Sequence, residues 1–577
     1  MTAALLTPLP EGRKPRRDDV FECVVTKLRR RGGAEGEWGP FKVELRRGVP
    51  GERLLCQVTK RRGELVRARI LEVLAPSPDA VEPECAHFAS CGGCSFQDSA
   101  YELQLREAHA RLADLLLPVL DGSGVTLEPV VAAGPTFGYR NKMDFTFGAQ
   151  KWVELAHGAT LGDAAADAEP ASKSDSSLPG ERRAEGGVQA RQGGSSSSAL
   201  DDAHDFALGL HAPGRHDKVL DIQHCAIAFP EASEILNVAR ELALEHGLAP
   251  WDLSAHTGLL RHLVVRKGFR TGEVLVYLVT STQAGVEQVS RRAGDDVEVG
   301  PYARALLERV PAITTLVHGM RDGISSVAVG ERDVVLHGPG VIHEVLGGVR
   351  FELSARAFFQ TNTAAAERLF ELVAAEACPT QDEVVYDLYC GAGTIALLLA
   401  PHCREVVGFE VVEQAVVDAR RNAERAGIAN ARFVAGDARF TASANHVRVL
   451  GLPQPDVVVD PPRAGLHPDV TAFLVELAVP RLVYVSCNPK AAAGDLARLV
   501  EGGYRIERAV PVDLFPHTPH VECVFTLTRA EGTRVERAPN SAAASTDAQL
   551  VAGAPDSTDA PRAAADSGIQ TTPDGAS

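Results

Sequence analysis

The feature that most constrains this chain lies between Glu383 and Arg463. Glu383 to Leu388 is an apolar run of strand length. It leads directly into Tyr389-Cys390-Gly391-Ala392-Gly393-Thr394 and an apolar helical stretch, Ile395 to Ala400. Strand, glycine turn and helix in that order let the backbone approach a ligand closely. The dinucleotide fingerprint needs a third glycine three residues on, and Ala396 stands there, so a pyrophosphate is not the expected ligand. The unit then repeats. Val406 to Phe409 reads as a second strand ending in Glu410, placed after the glycine turn where an acid binds ribose hydroxyls. Val412 to Ala426 reads as a helix stopped by Gly427. Phe433 to Asp437 ends a third strand on an acid, and Asp456 to Val459 is a fourth, followed by Asp460-Pro461-Pro462-Arg463. Repeated strand–helix units with polar groups at the strand ends predict an open, doubly wound α/β sheet.

That unit is only part of the chain. At about 150 residues per domain, 577 residues predict three or four domains. Two stretches are too poor in large apolar residues to offset their ordering entropy. One is an insertion over 163–205, containing Ser195-Ser196-Ser197-Ser198; the other is the Ala/Ser/Thr/Asp/Pro-rich tail, 531–577. About 500 residues remain, enough for three domains: 15–76, 77–345 and 346–530, after a short disordered N-terminal segment, 1–14. No apolar run reaches the roughly 18 residues of a membrane span. The basic residues Arg13, Lys14, Arg16 and Arg17 follow the short N-terminal apolar stretch, the reverse of a secretory signal. A cytoplasmic monomer with no membrane partner is expected.

The net charge of −17, taken alone, argues against a nucleic-acid partner. Residues 1–75, however, carry 17 Lys and Arg against 10 Asp and Glu, a net +7. Val20 to Lys27, Phe41 to Leu45, Leu54 to Lys60 and Leu65 to Val73 read as short strands, with a turn at Gly48-Val49-Pro50-Gly51. They predict a small barrel of the oligonucleotide-binding type. Arg29-Arg30-Arg31 and Lys60-Arg61-Arg62 fall at expected turns. Arg30, Arg31, Arg61 and Arg62 would form a phosphate-binding surface, although charged edges also serve simply to discourage aggregation. The module loosely resembles a TRAM domain, an RNA-binding barrel.

The 11 cysteines are an odd number in a chain without a signal sequence, which predicts reduced thiols. Three cluster as Cys85, Cys91 and Cys94, the last two flanking Gly92-Gly93. A closed site needs a fourth ligand, and Cys225 in Asp221-Ile222-Gln223-His224-Cys225 is the candidate. A 3+1 pattern suits an iron–sulfur cluster; zinc, which favours paired halves, is the alternative. After the fifth strand of the α/β unit, Arg481 to Val485, comes Ser486-Cys487-Asn488-Pro489, and later His520-Val521-Glu522. Pyrimidine C5 is a poor nucleophile. A thiolate adding at C6 makes an enolate whose C5 attacks an electrophilic methyl group. A carboxylate can then remove the C5 proton before the thiol leaves. Cys487 and Glu522 are the candidates for these roles.

The glycine turn with an acid after each of the next two strands is similar to class I methyltransferases, which use S-adenosylmethionine. Phe358-Phe359-Gln360-Thr361-Asn362, Asp387 to Gly393, Asp460 to Arg463, Ser486 to Pro489 and His520 to Glu522 stand in the order of the RNA uracil-5-methyltransferase family, which this chain resembles from about residue 15 to 528. The resemblance implies that Cys487 is the nucleophile and Glu522 the proton acceptor. It implies that Gln360, Tyr389, Gly391, Gly393, Thr394, Glu410, Asp437 and Asp460 bind S-adenosylmethionine. Thr394 is a departure, since some members carry Asn there. The set Cys85, Cys91, Cys94 and Cys225 matches the 4Fe–4S ligands of the bacterial 23S ribosomal RNA members. Those members also carry the TRAM module, which tRNA-specific members usually lack. Phe137 to Lys142 matches as well, and implies RNA contacts by Arg140 and Lys142 in a central α+β domain. The expected activity is therefore methylation of a uridine in 23S rRNA, with tRNA as the alternative. Asp-Pro-Pro also resembles the motif of amino-methyltransferases, but those need no cysteine nucleophile. A non-enzymatic RNA binder would have a broken cofactor site, and none of these motifs is broken.

Overall fold

The computed structural model describes residues 13–529 apart from 31, 153, 156–158, 161–204, 216, 294–295 and 437–454. The chain opens with a closed five-stranded barrel: β1 (Val20–Leu28), β2 (Ala34–Trp38), β3 (Phe41–Leu45), β4 (Arg53–Arg62) and β5 (Leu65–Ala75), in the order β1-β2-β3-β5-β4. Alternation along the strands turns Phe21, Cys23, Val25, Val43, Cys56 and Val66 into one core, with Phe21 stacked on Trp38 at 3.9 Å. Strand β2 is not legible in the sequence, because Ala-Glu-Gly-Glu-Trp has no β-branched residue. It forms because β1 and β3 flank it on both sides. Lys60-Arg61-Arg62 does not form a turn. It is the end of β4, paired with the start of β5.

A second sheet has seven strands: β6 (Lys142–Gly148), β7 (Ala207–His211), β8 (Val219–Asp221), β9 (Leu260–Lys267), β10 (Val274–Thr280), β11 (Thr315–Met320) and β12 (Arg332–His337). Their order is β8-β7-β6-β9-β10-β11-β12. Helices α2 (Pro230–Glu245) and α3 (Pro301–Arg309) cover one face, burying Ile235, Leu236 and Leu306 against Phe145, Leu263 and Val276. Strands β6 and β7 are direct neighbours, with Phe147 opposite Leu208. The expected insertion therefore joins adjacent strands; nearly all of it, and the tail, lie outside the described residues.

After a hairpin, β13 (Val341–Leu346) and β14 (Val349–Ser354), comes the predicted α/β unit. Its strands are β15 (Val384–Leu388), β16 (Glu405–Glu410), β17 (Ala431–Ala435), β18 (Asp456–Val459), β19 (Arg481–Ser486), β20 (Tyr504–Val512) and β21 (Glu522–Arg529). The order is β17-β16-β15-β18-β19-β21-β20. The first five run parallel, and β21 is antiparallel to both neighbours. The order switches direction between β15 and β18, so a cleft opens at their carboxyl ends. One face is covered by α4 (Thr363–Ala377), α5 (Thr394–Leu399) and α6 (Glu413–Ala426). The other is covered by α7 (Pro468–Leu477), α8 (Pro489–Glu501) and a helix from far upstream, α1 (Tyr101–Leu120). Ala108, Leu112 and Leu116 of α1 share a core with Leu474, Leu496 and Leu499. No described helix is long and apolar enough to cross a membrane.

Candidate active site

Strand register brings the two candidate reacting groups together. Ser486, the last residue of β19, lies opposite Cys523 of β21. Continuing that register by one residue sets Cys487 opposite Glu522. Val459 lies opposite Tyr484, so the residue after it, Asp460, reaches the same rim. Leu388 lies opposite both Val459 and Phe409, so Tyr389, Asp460 and the strand-end Glu410 stand side by side.

The rim is poorly solvated and acidic. Glu522 is 5% exposed, and burial, reinforced by Asp460, pushes its carboxyl up to about 8. Burial raises the Cys487 thiol above its ordinary value, with smaller contributions from Glu522 and Asp460. Burial pushes Asp460 up to about 6. Asp387, at 0% exposure, is held well above the carboxylate range by burial and then by Asp460. Arg463 opposes the shift of both Cys487 and Glu522. Such a cluster of carboxyls favours a cationic ligand, as a sulfonium is.

The glycine turn supplies the floor. Tyr389 adopts a left-handed backbone, φ +70°, unusual for a residue with a side chain. Gly393 has φ +84°, and a Cβ there would sit 2.9 Å from the Phe433 ring. Glu410 accepts hydrogen bonds from Gly391 N at 3.1 Å and Val412 N at 2.9 Å, which fixes its carboxylate beside the turn. Thr394 begins α5. Gln360 lies two residues before the N-cap Asn362, its carbonyl accepting from Asn141 Nδ2 at 3.0 Å. Asp437 lies outside the described residues. Sequence reasoning took Asp387 only as the start of the glycine-turn motif and assigned it no role. Its Oδ2 accepts from Ala396 N at 3.0 Å, while its buried Oδ1 has no partner among the described residues.

Two further residues, also missed, tie the reacting loops together. Asn488 Nδ2 donates to Arg463 O at 2.8 Å. Asp495 of α8 accepts from Leu466 N at 2.8 Å and from the Tyr484 hydroxyl at 2.6 Å. Asp495 thereby holds both the segment after Asp460 and the strand that leads into Cys487. Only Asn488 could have been flagged from sequence, by its place next to Cys487.

The cysteine segment abuts the same site. Ser95 N donates to His517 O at 2.8 Å, and Gln104 Oε1 accepts from His517 N at 3.0 Å. His517 lies in the loop between β20 and Glu522. Cys85, Cys91, Cys94 and Cys225 all line one cavity of about 150 Å³. Burial in these surroundings pushes the Cys91 and Cys94 thiols up to about 12 and raises Cys225. Among the described residues, no three His, Cys, Asp or Glu side chains are gathered closely enough to hold a single metal ion. Arg140 lines the cysteine cavity, and its Nε donates to Lys142 O at 3.0 Å; the Lys142 amine pairs with Asp144 at 2.9 Å. Of the barrel arginines, Arg30 is exposed and Arg31 lies outside the described residues. Arg61 donates to the carbonyls of Pro15 and Gly63, and Arg62 ends β4.

The tRNA (uracil-5-)-methyltransferase family model matches residues 345–530. An uncharacterized RNA methyltransferase of Chlorobaculum tepidum is 35% identical over 534 residues, spanning 91% of this chain and 100% of its own. This chain belongs to the RNA uracil-5-methyltransferase family. A second RNA methyltransferase relative, from Porphyromonas gingivalis, is 35% identical over 83% of this chain and 94% of its own. The crystal structure of Pyrococcus abyssi tRNA (uracil-54, C5)-methyltransferase in complex with S-adenosyl-L-homocysteine superposes with a TM-score of 0.62 at 25% identity. It covers 88% of this chain and 100% of its own. The uracil-5-methyltransferase described here is thus an S-adenosylmethionine-dependent enzyme acting on RNA, with the class I methyltransferase fold.

Proposed function

We propose that the enzyme methylates C5 of a uridine in 23S rRNA, with Cys487 as nucleophile and Glu522 as proton acceptor. The observation that supports this reading is the register of β19 and β21: Ser486 pairs with Cys523, and continuing it by one residue sets Cys487 beside Glu522 at the carboxyl end of the sheet. Bound S-adenosylmethionine supplies the electrophilic methyl group. The Cys487 thiolate adds to C6 of the uracil, and the electron pair pushed to C5 forms the bond to the methyl carbon. Glu522 takes the C5 proton, the C5–C6 double bond re-forms, and the bond from C6 to Sγ breaks. A carboxyl raised to about 8 is a stronger base than an ordinary carboxylate once it has lost its proton. Arg463 is the charge that favours the Cys487 thiolate.

Gln360, Tyr389, Gly391, Gly393, Thr394, Glu410, Asp437 and Asp460 are proposed to hold the cofactor. The barrel, 15–76, would act as a TRAM-like RNA-binding module ahead of a central domain, 77–345, and the catalytic domain, 346–530. The four cysteines would hold a 4Fe–4S cluster. What supports a common role for the four thiols is the one cavity they line, and zinc is the alternative occupant. In this reading the enzyme works as a cytoplasmic monomer.

One observation favours tRNA as a second reading. The Pyrococcus abyssi tRNA enzyme is covered over its whole length, with 88% of this chain matched. A match that long takes in most of the described residues, so the barrel does not by itself separate rRNA from tRNA. The test uses 23S rRNA and tRNA transcripts carrying 5-fluorouridine. Fluorine cannot leave as a proton, so a methylated covalent adduct on Cys487 should accumulate with the true substrate. No adduct with either RNA, in the presence of S-adenosylmethionine, sinks the proposed chemistry.

A further inference from the structure

Strand β6 begins against the cofactor segment and runs away from it. Asn141 N donates to Thr361 O at 2.8 Å, and Asn141 Nδ2 to Gln360 O at 3.0 Å. Side chains alternate along a strand, so Met143, Phe145 and Phe147 enter the core while Lys142, Asp144 and Thr146 share the other face. From Lys142 to Thr146 this face extends about 13 Å. It ends at a separate small cavity. There the Thr146 hydroxyl lies 3.4 Å from His262 Nδ1 and 3.4 Å from His211 Nε2.

The cavity, about 30 Å³, is also lined by Trp251 and Arg261. That volume suits one polar group or about two waters. Arg261 is only 2% exposed. Its guanidinium lies 4.3 Å from the Trp251 ring centre, and it donates to Arg321 O at 2.9 Å and Ser325 O at 3.0 Å. Its Nε, and the indole Nε1 of Trp251, are buried donors with no acceptor among the described residues. A buried donor left unpaired is costly, so these two atoms call for an acceptor. Two carboxylates also line the cavity: Asp252, which accepts from Ser254 N and Ala255 N, and Asp217, which pairs with Arg215. Asp217 is balanced by Arg215, and Asp252 balances Arg261, so the pocket carries no net positive charge to draw a phosphate and admits an uncharged acceptor. In an RNA strand the carbonyl edge of a base is such a group.

We propose that this pocket is a second RNA subsite, which takes the carbonyl edge of a base flanking the target uridine. The inference rests on the family's RNA substrate and not on the chemistry assigned to Cys487. RNA leaving the reaction site would follow the half-buried outer face of β6, and the pocket would read one base on the way.

The probe is whichever transcript the enzyme methylates, with single abasic substitutions placed one at a time along the flanks. In the wild-type enzyme one abasic position should raise KM about fivefold, the loss of one hydrogen bond. In Trp251→Phe, which keeps the aromatic platform under Arg261 and removes only the indole donor, the effect of that position should shrink, with Arg261 Nε left as the remaining donor. An abasic profile identical in wild type and variant overturns the proposal, since the cavity then holds water only. A dependence that follows the 2′-hydroxyl, shown by 2′-deoxy substitution, overturns the assignment to a base. Should Trp251→Phe unfold, photocrosslinking of wild type decides: 4-thiouridine at the sensitive position must crosslink within Trp251–His262, and its absence there refutes the subsite. The 5-fluorouridine adduct is scored separately, so the failure of one reading does not imitate the failure of the other.

Discussion

Replacing Glu522 by Gln tests both the electrostatics of the cleft and the role of the base. Burial pushes this carboxyl from 4.5 to about 8, a preference for the protonated form of about 5 kcal/mol. Because the folded-state value is raised, the stability this group contributes is complete below about 4.5. It is lost progressively as the pH rises through about 8. Glutamine has nearly the same shape and does not ionise, so Glu522→Gln removes that loss. Its melting temperature relative to wild type should rise by a few degrees between pH 5 and pH 9, with the change concentrated above pH 5. Thermal unfolding of the cofactor-free protein at several pH values measures this. A difference between variant and wild type that stays flat with pH refutes the claim that Glu522 is an ionisable group in a dry site. The same variant should take ordinary uridine RNA as far as the methylated adduct and then stop, because nothing removes the C5 proton. Gel-stable protein–RNA complex should accumulate without release of product. If Glu522→Gln turns over at the wild-type rate, Glu522 is not the base.

Wild-type kcat/KM for RNA should climb as the pH passes about 8, since both Glu522 and the raised Cys487 thiol must lose protons; a profile already level at pH 6 contradicts this. Gly393→Ala should weaken S-adenosylmethionine binding at least tenfold by calorimetry, because the left-handed backbone and the Phe433 ring both oppose a Cβ; wild-type affinity would show that the turn is not the cofactor floor. Asp495→Ala should cost about 3 kcal/mol in denaturant unfolding, as it leaves the Leu466 amide and Tyr484 hydroxyl unpaired. It should also slow adduct formation; a change below 1 kcal/mol would mean those groups find other partners. Purified protein should contain close to four irons per chain, and stoichiometric zinc without iron would reject the cluster.

The catalytic sheet was the most legible part of the molecule. Each of its first five strands is a short apolar run closed by a glycine, an acid or a proline, so strand ends and chemistry coincide in the sequence. Cys487 and Glu522 were visible as isolated residues. Their opposition was not, because it depends on β21 turning antiparallel beside β19. The role of Asp387 was hidden for a different reason. A lone acid within Val-Val-Tyr-Asp-Leu looks like a strand residue, and only its complete burial next to Asp460 sets it apart. The role of Asp495 carries no local signal: its neighbour Arg498 makes it look like an ordinary helix ion pair, whereas the groups it ties together are 29 and 11 residues away on other elements. The role of Lys60 to Arg62 was misread because a basic triplet before Gly63 looks like a loop, whereas the ladder with β5 runs through it.

Helix α1 sets a condition on how the enzyme is made. It is synthesised long before the sheet it covers, and the Tyr101 hydroxyl bonds Asp513 across 412 residues of chain. On the ribosome the apolar side of α1, with Leu112 and Leu116, has no sheet to pack against until α8 has emerged. Closure of such long loops comes late and slowly in folding. The nascent chain therefore passes through a stage with an uncovered apolar helix, and a fragment beginning at the catalytic sheet would expose the complementary face instead. Expressing the catalytic domain alone should yield aggregates unless residues 101–120 are supplied with it.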